Sequence, residues 1–74
     1  MEKFIQRLQK DFIVCRIPSI GSGVFIESKT SSYDKSIAFL NMRQMSSAFQ
    51  DEQHGEFKEE IRVIKEVITE FYGL

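Results

Sequence analysis

The sequence predicts an α+β fold, and three observations carry that reading. A long run near the C-terminus, FKEEIRVIKEVITEFY, places Phe57, Ile61, Ile64, Ile68 and Phe71 at spacings of four, three, four and three, the period of one apolar helix face. A short run near the N-terminus, DFIVCRI, is dominated by β-branched and aromatic residues instead. Between that run and the next apolar one lies PSIGSG, the strongest turn signal in the chain. The expected architecture is one domain over 1–74: a short N-terminal helix, a three-stranded antiparallel sheet, a short helix, and a long C-terminal helix packed on the sheet.

Residues 2–10, EKFIQRLQK, read as a helix with Phe4, Ile5 and Leu8 on one side. A helix this short does not hold without tertiary contact. Glu2 near its start and Lys10 near its end suit the helix dipole. Residues 11–17 then read as a strand, with Phe12, Val14 and Arg16 facing one way and Ile13, Cys15 and Ile17 the other. Pro18 lacks the donor a ladder needs and ends the strand. VFIESKTS over 24–31 returns as a second strand, with Val24 and Ile26 inward and Glu27 and Lys29 outward. After the polar turn SSYDKS, the run SIAFLNM supplies a third strand, Ile37 and Phe39 on one face and Ala38 and Leu40 on the other. Met42, Met45 and Phe49 recur at helical spacing, Asn41 is a fitting N-cap and Gly55 a fitting C′ residue. Residues 42–54 are therefore expected to be a short helix rather than a fourth strand. The last helix is expected over 56–72, stopping at Gly73.

Composition narrows the function. Seventy-four residues with 42% hydrophobic content and seven Phe support one thin core. A net charge of −1 argues against a nucleic-acid binder held on by bulk charge. A single cysteine allows no internal disulfide and no thiolate metal cage. No apolar run is long enough for a membrane span, and MEKFIQRLQKD lacks the apolar block of a signal peptide. A cytoplasmic protein that does not engage membranes is expected.

Catalytic and cofactor chemistry find little footing. Gly21-Ser22-Gly23 leads into a strand, whereas a phosphate loop leads into a helix, so a hairpin loop is expected. Cys15 lies in an apolar strand and His54, the only histidine, in a polar turn, with no third group to orient a dyad. Asp51, Glu52, His54 and Glu56 cluster without the spacing of a calcium loop. No enzyme, metal or cofactor is expected.

Charge is divided along the chain. Residues 1–44 hold seven cations against four acids, and residues 45–74 hold three cations against seven acids. On the last helix, Val63 and Val67 share an arc with most of the glutamates. One reading has the core wrapping half the helix, with the early glutamates serving the N-terminal dipole. The sharper reading has Glu59, Val63, Glu66, Val67 and Glu70 forming an apolar centre with an acidic rim that meets a basic protein partner. The same helix face has the spacing to pair with its twin in a homodimer. The leading expectation is a small non-enzymatic protein-binding regulator, a stoichiometric inhibitor of the kind phages encode against host nucleases and defence complexes. The alternative is a nucleic-acid-binding module in which Arg16, Lys29, Tyr33, Lys35 and Arg43 form a basic and aromatic patch on the sheet, with Phe25 and Phe39 in the core.

Overall fold

The computed structural model describes residues 2–19, 21–29, 36–50, 55 and 57–73. Its elements run α1 (Glu2–Gln9), β1 (Phe12–Arg16), β2 (Gly23–Ser28), β3 (Ser36–Asn41), β4 (Ser46–Phe49) and α2 (Lys58–Tyr72). The strands form one antiparallel sheet in sequential order, β1-β2-β3-β4. The class is α+β as expected, with an N-terminal and a C-terminal helix, but the sheet has four strands.

Register separates the two faces of the sheet. Val14 opposes Ile26, Ile26 opposes Ala38, and Val24 opposes Leu40. These residues share the inner face because side chains alternate along a strand. The inner side chains join Phe4, Ile5 and Leu8 of α1 and Ile61, Ile64, Val67 and Ile68 of α2 in one core. Between Ile26 and Glu27 the β2–β3 register slips, so that Ile26 faces Ala38 but Glu27 faces Ser36. Ile37 is the extra residue of this bulge, and it is buried together with Ala38. A strict alternation would have set Ile37 on the face opposite Ala38; the bulge re-aims it.

The expectation of a helix over 42–54 is overturned for residues 42–49. Asn41 closes a turn over Met42–Met45, and the chain folds back as β4, with Phe39 opposite Ala48 and Leu40 opposite Ser47. Asn41 Oδ1 accepts from the Gln44 backbone N–H at 3.4 Å, the bond an N-cap would accept. Met45 then adopts φ 54° and turns the chain back. The helix-like spacing of Met42 and Phe49 arises because both reach the core from opposite ends of a hairpin. Residues 51–54 of that expectation lie outside the described residues.

Two ties fix α1 to the sheet. The Arg16 guanidinium donates to the Glu2 carboxylate. The Lys29 ammonium donates to the carbonyls of Gln9 (2.8 Å) and Lys10 (3.2 Å), supplying the missing donors at the C-terminal end of α1. α2 has no side-chain N-cap, and it ends where Gly73, at φ 72°, donates its N–H to the Thr69 carbonyl. That left-handed cap needs the freedom of glycine.

Two substitutions test this packing in chemical denaturation. Ile64 is fully buried, and Ile64→Ala is expected to lose about 2–5 kcal/mol. Met45→Gly is expected to gain up to about 1 kcal/mol, because glycine removes the cost of a left-handed non-glycine residue at an exposed position.

Candidate functional site

Two surfaces deserve weight as sites: the solvent side of α2 and the sheet face turned away from the helices. The sequence directs the first. With Ile61, Ile64, Val67 and Ile68 buried and Glu60, Val63 and Tyr72 half-buried, the other positions of α2 face water. Glu59 and Glu60 lie in its first turn, where carboxylates stabilise the positive end of the dipole. Arg62 bridges Glu59 (2.8 Å) and Glu66 (2.6 Å). The Arg62 hydrogen bond and charge hold the Glu59 carboxyl below its usual range, and the same contacts raise the guanidinium further.

Glu70 differs from these acids. It lies in the last turn of α2, which holds no basic residue, and it has no ion pair or hydrogen bond among the described residues. An acid there opposes the negative end of the helix dipole. Beside it Phe71 is 39% exposed and meets the edge of Phe4, with ring centroids 5.8 Å apart.

The expected apolar centre of the acidic arc is corrected. Val67 is 1% exposed and belongs to the core, while Val63 is half-buried against it. The core wraps a wide face of the helix, as the plainer of the two readings has it. Glu59, Glu66 and Glu70 remain at the surface.

The basic residues do not assemble. Arg16 turns to Glu2, and Arg43 is exposed in the turn at that same end of the sheet. Lys29 is at the other end, beyond the six residues of β2, a distance on the order of 17–20 Å of strand. Tyr33 and Lys35 lie outside the described residues, as do Asp51, Glu52, His54 and Glu56. Among the described residues no cluster of potential metal ligands occurs. No helix there is long and apolar enough to cross a membrane.

The second surface was not anticipated. Phe25 and Phe39, expected in the core, are on the outer face. Phe25 is 40% exposed and Phe39 half-buried, their rings 5.5 Å apart. The register sets Cys15 opposite Phe25, Phe25 opposite Phe39, and Phe39 opposite Ala48. One apolar row therefore crosses all four strands. Ile13, 46% exposed, lies next to it, with Glu27 and Ser36, and on the other side lie Gly23, Asn41 and Ser46. The signal was present in the period-two spacing of Ile13, Cys15, Phe25 and Phe39, which had to fall opposite Val24, Ile26 and Leu40.

Within the row, the Cys15 thiol donates to Glu27 Oε2 at 3.1 Å. This bond, followed by burial and the nearby negative charge, raises the thiol above its ordinary range. Beneath α2 a separate cleft is lined by Asp11, Phe12, Lys29 and Glu60, and Glu60 Oε2 is buried there without a hydrogen-bond partner among the described residues.

No protein family, curated protein or solved structure matches this chain.

The thiol bond gives a pH test. Because the folded value is raised, its contribution to stability is present below the ordinary thiol value of about 8.5 and is lost as pH rises through the folded value. Iodoacetamide is expected to alkylate Cys15 more slowly than a free thiol in dilute protein at mildly alkaline pH. Glu27→Gln is expected to speed the reaction and move its pH midpoint down.

Proposed function

We propose that this chain is a small non-enzymatic protein-binding regulator, and that the C-terminal end of α2 meets a basic protein partner. The observation that carries this reading is Glu70. Among the described residues its carboxylate has no partner, and it lies in the last helical turn, where the dipole makes an acid unfavourable and where α2 holds no basic residue. Each other exposed acid of α2 has a local reason for its place. Glu59 serves the first turn and is paired with Arg62, and Glu66 is bonded to Arg62 as well. A residue set against its own helix is a residue kept for something outside it.

The neighbouring groups fit that use. Glu66 precedes Glu70 by one turn, and Phe71 offers an exposed ring beside them. An aromatic anchor with an acidic margin suits a basic surface, the ring supplying burial and the carboxylates steering encounter. Arg62 holds the Glu66 carboxylate in one orientation, which lowers the ordering cost of binding. A stoichiometric inhibitor works in this way, by occupying a basic surface. The nucleic-acid reading has less support, since the described cations are spread over opposite ends of the sheet.

Glu70→Lys separates function from stability, because the two effects carry opposite signs. Thermal and chemical denaturation are expected to show a gain of about 0.3–1 kcal/mol, as the new cation suits the dipole. Capture of basic proteins from a nuclease-treated lysate is expected to fall, and wild-type capture to weaken as salt rises. Unchanged capture by the folded Glu70→Lys protein would exclude this end of α2 as the interface.

A further inference from the structure

We propose that the outer face of the sheet is covered by a second copy of the chain, two sheets packing face to face in a symmetric dimer with the helices outside. This rests on the apolar row and is independent of the role given to α2. The row runs Cys15, Phe25, Phe39, Ala48, bulky at its centre and small at both ends. None of the described elements covers it, since both helices pack on the inner face with Val24, Ile26 and Leu40.

Charge decides what kind of surface fits. Among the described residues the ionisable groups on this face are Cys15 and Glu27, and they are bonded to each other. The nearest cations point elsewhere, Arg16 to Glu2 and Lys29 to the end of α1. A polyanion finds no cation in the row, and a strongly basic partner finds one carboxylate at its margin. A neutral apolar row is the complement that remains.

Symmetry strengthens the case. A two-fold axis along the strands, between β2 and β3, sets Phe25 of one copy over Phe39 of the other and Cys15 over Ala48. Glu27 and Ser36 are paired in register across that same line, so each Glu27 meets a serine hydroxyl and not its own twin. Like charges are kept apart, and the carboxylate gains a donor. Aligned sheets of this kind pack about 10 Å apart, with inner side chains filling the gap.

The area sets the strength of the contact. Four strands about 4.8 Å apart, of six residues at most with a rise of about 3.3 Å, make a sheet face on the order of 400 Å². That is below the ≈ 800 Å² per partner of a standard interface, so the dimer is a weak one. A chain of 74 residues has a thin core, and joining two sheets adds a second one.

Sedimentation equilibrium from micromolar to millimolar protein tests the proposal. The wild type is expected to reach twice the monomer mass with little dependence on salt. Phe25→Lys is expected to raise the dimer dissociation constant at least about thirtyfold, the effect of removing a central anchor. Glu70→Lys is expected to leave it unchanged, which keeps this test apart from that of the α2 surface. Circular dichroism checks that Phe25→Lys is folded; if it is not, Ala48→Arg, at an exposed position, replaces it. On dilution, amide shifts are expected at Ile13, Cys15, Phe25, Phe39 and Ala48. A wild type monomeric at millimolar concentration, a dimer that survives the folded variant, or dilution shifts confined to α2 would each overturn the proposal. So would a monomer whose row amides shift on adding oligothymidylate, which would assign the face to single-stranded nucleic acid.

Discussion

The pairing of β2 with β3 is the constraint on which the rest of the molecule depends. Val24 opposite Leu40 and Ile26 opposite Ala38 fix which side chains turn toward the helices. A slip of one residue would exchange the two faces, exposing Ile26 and Leu40 and burying Phe25 and Phe39. The bulge at Ile37 adds to this. It lets β3 bury two successive residues, Ile37 and Ala38, without shifting Phe39 from the outer face. α1 and α2 can then close over one continuous apolar layer.

Burial on one face has a counterpart on the other. A chain of this length makes one layer of helices, which covers one side of a four-stranded sheet. The uncovered side is neither a polar solvated face nor a dry core. It carries an apolar row at its centre, flanked by Ile13, Glu27 and Ser36 on one side and by Gly23, Asn41 and Ser46 on the other. The α2 surface is organised differently, with its carboxylates explained by the helix dipole and by Arg62 until the last turn, where Glu70 is not. The two surfaces lie on opposite layers of the molecule, so use of one leaves the other accessible. In the proposed dimer, both copies would present the end of α2 outward.

Periodicity made much of the fold legible. The spacing of Ile61, Ile64 and Ile68 is a property of the sequence alone, and α2 follows it. Phe4, Ile5 and Leu8 defined α1 in the same way, and PSIGSG marked the first hairpin. The misreading of residues 42–49 has a physical cause. A hairpin turn opened by Asn41 begins with the same side-chain to backbone bond as a helix N-cap, and the two diverge only when Met45 takes a left-handed conformation. Nothing in the identity of Met45 announces that, since glycine or asparagine is the usual occupant. The burial of Val67 was harder to foresee because it depends on how far the core wraps the helix, a tertiary quantity. The outer row was legible only in part. The alternation of Phe25 with Ile26 placed them on opposite faces, but which face the helices would cover is decided by α1 and α2 together.

Lys29 makes the first helix depend on the sheet. Its ammonium completes the last carbonyls of α1, yet it arrives from the far end of β2. Arg16 likewise reaches Glu2 from the end of β1. α1 has eight residues, too few to persist on its own. The partners at both of its ends are in place only once the β1–β2 hairpin exists. Although α1 comes first in the chain, it is the hairpin that completes it, and a change that undoes the β1–β2 pairing removes the ties at both ends of the helix.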